Sequence, residues 1–548
     1  MARSRIAHWM ATVAATSLLV FGAVPLTTGS AAASSTGGTI VDALYEEPNT
    51  LDPVLGPPSF YAEIVEATMF PNLFVTLPND KVAPELATVV PTVANGGISS
   101  NGLVYTLHLK RGLKWSDGQP FTAMDVWETY HVAMNPHVNA ITTAGFSDIK
   151  SFKIVNPYEV RIVLKQPYTP FITTDWTNTQ PGIIPYHIFK NIPPASINTA
   201  SFNSDPTATL GPYEFVKWIP GTSITVTANP NWWGPPVKTK TIVFKIMPNE
   251  SSILLAAKTH EVNVDFFAPP EQYSELKSVP GSDVILAPFP DWEALVLNWR
   301  NPLLRNRIVR VALAMALNRA GVAKAIWHGG ATVLAADQPP ESWAYDPAVK
   351  PYPFDPHQAL RMLESQGFKM RGGTLYTPQG KPFTLVFATT SGDPYRQFAQ
   401  TIWQSNLSQI GIRMEIHDYP ASTLFSPAVW QSGKVGGQPG GWDMLELAQV
   451  NSYDPTVLLQ QSFEADDGFY SGYQSAKLNA LIAKESSLVT QAQRKPIFNQ
   501  IEAYLHQQEP WIFLFSWPMV DASFGMTGYE PNAWYVDSWN AYDWALTK

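Results

Sequence analysis

The chain contains no cysteine among its 548 residues. That excludes a disulfide framework, a thiolate metal site and a cysteine nucleophile. Charge is scarce as well: Asp, Glu, Lys and Arg make up 15% of the sequence, and the formal net charge is −9. A nucleic-acid-binding surface needs clustered positive charge, and no Lys/Arg run is present. The densest group, Arg300, Arg305, Arg307 and Arg310, leads into a helical pattern and reads as a solvated or packing face. Beyond the N-terminal region no segment is long and apolar enough to span a bilayer. The spacings of common catalytic sites are missing too. There is no Gly-x-Ser-x-Gly elbow for a serine nucleophile and no His-Glu-x-x-His for zinc. His131 and His137 are too far apart for one helical face, and His260-Glu261 has no second histidine four residues on. The stretch Gly433–Gly441 lacks the Lys-Ser/Thr ending of a phosphate loop. Glu46-Glu47 and Asp466-Asp467 read as solvated loop acids rather than a glycosidase pair. The expectation is therefore no catalytic residue, no metal, no cofactor and no nucleic-acid partner.

What is present begins with bulk. At 45% hydrophobic residues, the chain can bury large cores, and its length predicts at least two domains. Residues 1–33 read as a secretion signal. Arg3 and Arg5 precede an apolar stretch from Ile6 to Leu26, and small residues follow to Ala31-Ala32-Ala33, an A-x-A-like cleavage site. Cleavage near Ala33 would remove both arginines and carry the net charge from −9 to −11. The competing reading is an uncleaved N-terminal anchor. The product is expected to be secreted, in a periplasm or at a cell surface.

The most informative stretch is YTLHLKRGLKWSDGQPFTAMDVWETY, Tyr105 to Tyr130. Tyr105, Leu107 and Leu109 alternate with polar residues, as in a half-buried strand. Ser116-Asp117-Gly118 is a turn. Thr122 and Asp125 form a capping box for a helix whose apolar face is predicted as Ala123, Val126, Trp127, Tyr130 and Met134. The stretch closely resembles the signature segment Y-T-F-x-L-R-x-G-V-K-F-x-D-G-x-P-F-T-A-x-D-V of the extracellular solute-binding proteins of the peptide/nickel class, which serve ABC importers. Further segments resemble the same family: EEPNTLDP from Glu46, LGPYEFVKWIPGTSITVTANPNWWG from Leu210, LVLNWRNPLLRNRIVRVALAMALNRAGVAKAI from Leu295 and DPHQALRMLESQGF from Asp355. In the third of these, Asn306 or Arg307 and then Asn318 stand where the family has Asp.

The class is α/β to α+β, since strand and helix patterns alternate throughout. The resemblance implies a bilobal periplasmic-binding-protein-like fold (type II, cluster C). Lobe one would comprise 34–78, 205–290 and 510–548, with an inserted subdomain at 79–204. Lobe two would span 291–509, with chain crossings near Pro290 and Glu509-Pro510. The implied function is capture of a peptide-like solute between the lobes by hinge closure, then delivery to a membrane permease and its ATPase subunits. A monomer is expected, without enzymatic activity. An oligosaccharide or metal chelate is the alternative ligand, and a secreted hydrolase the rival class. Candidate ligand-binding residues are Trp292, Tyr395, Trp403, Gln449, Asn451, Tyr453 and Asp454. The segment QVNSYDP, Gln449 to Pro455, carries the departure of most interest. Where family members that bind free peptides place an acid for the ligand's α-amino group, this chain has neutral Asn451; Asp454 is the other carboxylate in reach.

Overall fold

The computed structural model describes residues 38–56, 59–177, 182–464 and 470–547. The secretion-signal reading and Asp466-Asp467 lie outside them. A seven-stranded mixed sheet has the order 282–287, 519–524, 264–268, 39–44, 241–246, 223–228, 213–219. Thr39–Leu44 is parallel to both neighbours, Val264–Ala268 and Thr241–Ile246. The expected hairpin forms between Tyr213–Ile219 and Ser223–Ala228, with a register shift between Phe215 and Lys217.

A second sheet of six strands has the order 332–333, 511–516, 292–297, 444–449, 384–390, 413–419. Its strands alternate faces. Leu295 and Leu297 enter one core, packed on Arg307–Ala316 and Pro394–Gln409, while Trp292, Ala294 and Val296 enter another on the opposite side. The strand Trp511–Ser516 pairs with Trp292–Leu297, so it belongs to this sheet. The chain returns to the first sheet only at Met519, and the second crossing is Trp517-Pro518 rather than the expected Glu509-Pro510. The crossing lies downstream of the one that the resemblance implied, because Trp511, Phe513 and Phe515 are all buried in the second sheet.

The 79–204 region carries a three-stranded sheet, Val104–His108, Glu159–Leu164 and Ile149–Asn156, with the helix Ala123–Ala133. The capping box at Thr122 and Asp125 is present with both bonds. The buried face differs from the predicted one. It holds Val126, Thr129, Val132 and also Asp125 and Glu128, while Trp127 sits at the edge and stacks on His131 at 4.6 Å. Asp125 turns inward because its carboxylate accepts from the backbone of Thr122 and Tyr186 and from the Trp115 indole. One core runs from this sheet into the seven-stranded sheet, through Tyr105, Trp115, Phe171 and Ile242.

The arginine cluster is a packing face at Arg310. Arg310 is 1% exposed and donates to the carbonyl oxygens of Leu304, Arg305, Gln508 and Glu509. Its guanidinium also lies 3.8 Å from the Trp299 ring centroid. Arg310→Met should lower stability by about 3 kcal/mol, because several buried carbonyls lose charged donors at once. Urea titration of the variant against the parent checks this.

Candidate functional site

Both chain crossings leave the six-stranded sheet at one end, the end marked by Trp292 and its pairing partners Gln449 and Ser516. In the seven-stranded sheet the parallel strands finish at Leu44, Ile246 and Ala268, and the segments after them carry Glu47, Glu250 and Glu271. Ligand crevices in open α/β sheets form beyond such carboxyl ends.

Contacts between the two sheet systems cluster here. Tyr395, on the first turn of Pro394–Gln409, donates its hydroxyl to Glu271 Oε2 at 2.9 Å. Burial, then the bond to and charge of Glu271, raise the Tyr395 phenol well above its ordinary value. Glu250, beside Glu271, is pushed by burial and by that neighbour up to about 7. On another flank Tyr453 donates to the Asp80 carbonyl at 2.8 Å and meets the Trp534 ring edge-on at 5.4 Å. Trp534 Nε1 donates to Asp80 Oδ1 at 2.6 Å. Asp80 can hold this position because it sits in a turn with φ 59°, a conformation Asp tolerates better than most residues.

The expected site residues divide by role. Tyr395 and Tyr453 bridge the two halves of the molecule. Gln449, Asn451 and Trp292 lie together at the sheet end, at 1%, 9% and 0% exposure. Trp403 lies apart from them: its indole donates to Glu446 Oε2 at 3.1 Å inside the core on the other face of the sheet. Asp454 is committed to Arg494, whose two terminal nitrogens donate to its two oxygens at 2.6 and 2.8 Å. Burial alone would raise the Asp454 carboxyl, but the Arg494 charge and the hydrogen bonds outweigh it and hold it low.

A model of the bacterial extracellular solute-binding proteins, family 5, matches residues 81–464. The chain belongs to that family. Its members bind solutes for ABC transporters and are not enzymes. The oligopeptide-binding protein AppA of Bacillus subtilis (strain 168) is 25% identical over 496 residues, covering 87% of this chain and 86% of that protein. The AppA structure with a nonapeptide superposes with TM-score 0.70 at 23% identity, over 93% of this chain and 99% of that one. NikZ of Campylobacter jejuni with Ni(L-His) gives TM-score 0.71 at 25% identity, over 92% and 99%.

In this family 5 protein, several residues that shape the site carried no sequence signal. Arg494 is buried and also donates to Glu485 Oε2 at 2.9 Å and to Thr456, so it anchors the whole turn after Asp454. Asp291 accepts the Asn451 backbone N–H at 2.8 Å, and burial pushes its carboxyl up to about 8. Arg396 donates to Glu293 at 2.7 Å and to Thr390 at 2.8 Å. Each partner is remote in sequence, and no local period or spacing marks such pairs.

Proposed function

We propose that the chain is the substrate-binding component of an ABC importer, capturing a peptide-like solute between two lobes and handing it to a membrane permease. The seven-stranded sheet with the inserted 79–204 region forms lobe one. The six-stranded sheet forms lobe two. Residues 288–291 and Trp517-Pro518 serve as the hinge. Residues 1–33 are the secretion signal, cleaved near Ala33, and the mature protein works as a monomer. AppA and NikZ, named for a peptide and a nickel complex as ligands, supply the substrate range. The carrying observation is the pair of cross-cleft links, Tyr395 to Glu271 and Tyr453 to Asp80. Such links stabilise a closed state, and a ligand adds to closure only by touching both lobes.

Small-angle scattering of the mature protein tests the hinge. The radius of gyration should shrink when a saturating ligand is added. Removing both hydroxyls in the double variant Tyr395→Phe/Tyr453→Phe should weaken ligand binding by about 5–150-fold, from two hydrogen bonds of about 0.5–1.5 kcal/mol each. An unchanged radius with bound ligand, or full affinity in the double variant, would remove hinge closure from the mechanism.

A further inference from the structure

Charge is spread unevenly over the molecule. Residues 79–204 hold nine Lys and Arg against eight Asp and Glu, whereas the rest of the chain holds 27 against 37. Three of the eight acids, Asp125, Glu128 and Asp175, are buried, and none of the nine bases is. The surface of this region is therefore basic on an otherwise acidic protein.

The positive charge gathers on the outer face of the three-stranded sheet. Tyr105, Leu107, Val160 and Ile162 are buried on its inner face, so the residues between them face out. There Lys153 of an edge strand is directly opposed to Arg161 of the central strand, and Thr106 lies on the other side of Arg161. All three line an open groove of about 390 Å³. Like charges directly opposed across strands destabilise a sheet. No ion pair of the described residues reaches Lys153 or Arg161. Glu159, the acid in the groove wall, instead accepts from Asn156 Nδ2 at 3.3 Å and lies 3.8 Å from His108 Nδ1. Lysines on an edge strand guard against pairing with another chain, which accounts for Lys150 and Lys153. It does not account for Arg161, whose strand is paired on both sides.

Apolar groups flank these cations. Val155 lines the groove and is 45% exposed. Val93 is 38% exposed, and its carbonyl accepts the N–H of Gly96 in the groove wall. Unpaired cations beside exposed apolar side chains suit a lipid–water interface, where phosphates meet the charge and the acyl boundary takes the valines. A single free anion would leave the valines and the exposed Lys150 unused.

We propose that the outer face of this sheet docks the protein on a bilayer rich in anionic phospholipid, with Lys153 and Arg161 on headgroup phosphates. The acidic remainder is repelled by the same surface, so docking also orients the molecule.

Flotation of the protein beginning at Ser34 with lipid vesicles tests the proposal. Vesicles of phosphatidylglycerol and phosphatidylcholine in equal parts should carry the protein at about 50 mM salt and release most of it at about 500 mM, where screening shortens the reach of the charges. Lys153→Gln/Arg161→Gln should weaken vesicle binding by about 10–30-fold. Lys369→Gln/Arg371→Gln removes the same charge from the exposed strand Lys369–Arg371 and should bind like the parent. The melting temperature of the first variant should not drop, because the substitution relieves an opposed pair of like charges. A drop of several degrees would mean that both cations are already satisfied within the fold, and would overturn the proposal. Equal binding to vesicles of phosphatidylcholine alone, no binding to either, or equal losses in the two variants would overturn it as well. Binding to soluble polyphosphate in preference to vesicles would make a free anion the ligand and remove the bilayer. Each of these results leaves solute capture in the cleft standing, since no solute enters the test.

Discussion

The melting temperature of the protein is expected to be highest near pH 4–5 and to fall by about 10 °C or more by pH 8. The origin is a set of carboxyls whose burial outweighs any cation near them. Asp42 and Asp521 of the seven-stranded sheet and Asp537 are each fully buried and surround Tyr529. Neither oxygen of Asp42 has a hydrogen-bond partner. The groups that act on Asp42 are Asp537 and Asp265, and Asp521 acts on Asp537; all are acids. Burial first, and then these like charges, raise Asp42 and Asp537 well above the ordinary range. Burial pushes Asp521 up to about 7. Elsewhere burial carries Asp52, Glu63 and Glu85 up to about 7, and Asp291 and Glu509 up to about 8.

An acid raised in the folded state keeps a proton that the unfolded chain releases near pH 4. Between those two values the native state binds more protons, so stability falls as pH rises. The contribution is intact below about pH 4 and is lost progressively as pH climbs through about 7–8. Each group loses about 1.4 kcal/mol for every pH unit that separates its folded and unfolded titrations. Asp454 runs the other way, since it is held low, and its contribution is lost only in acid. The raised carboxyls outnumber it. Differential scanning calorimetry from pH 3.5 to 8.5 checks the profile. A maximum at pH 7 or above would mean that these carboxyls are charged and compensated in the native state. Asp42→Asn should flatten the slope between pH 5 and 8 without lowering stability at pH 8.

The second large effect is expected at Arg494. Its guanidinium is 1% exposed, forks onto Asp454, reaches Glu485 and lies 5.0 Å from the Trp343 ring centroid. Glu485 is fully buried and Asp454 nearly so. Arg494→Met would leave two buried carboxylates without their cation, a loss of about 3–5 kcal/mol at neutral pH. The same substitution should cost much less near pH 4, where the stranded carboxyls take up protons. Adding Asp454→Asn and Glu485→Gln to Arg494→Met should recover part of the loss at pH 7. Urea midpoints for the set at both pH values check the result, and an equal penalty at the two pH values would show that the network acts through packing rather than charge. In the proposed cleft, ligand affinity should drop as well, because Arg494 holds Asp454 at the end of the segment that carries Asn451 and Tyr453.

Much of the local architecture follows from neighbouring residues alone. The Tyr105–Tyr130 segment specified its own strand, turns and capped helix, because hydrogen bonds between residues two to four apart and short apolar periods decide such elements. The same local completeness set the Asp355 cap and the Gly367 stop of the helix Pro356–Ser365, and it carried the family resemblance. Gln449, Asn451 and Trp292 were legible as candidates only through that resemblance. Their proximity was not, since it comes from pairing Trp292 with a strand more than a hundred residues away. The resemblance placed a chain crossing at Glu509-Pro510, but the aromatic strand Trp511–Ser516 buries itself in the six-stranded sheet. Trp403 was a candidate as an aromatic residue where the resemblance places the cleft, and the fold turned it into the core. Asp454 read as the other carboxylate in reach of a ligand's amino group, whereas Arg494, forty residues on, buries and neutralises it. Caps, turns and short apolar periods need only a few adjacent side chains. Which buried group meets which partner is decided by long-range packing, where desolvation makes every unpaired charge costly and each pairing specific.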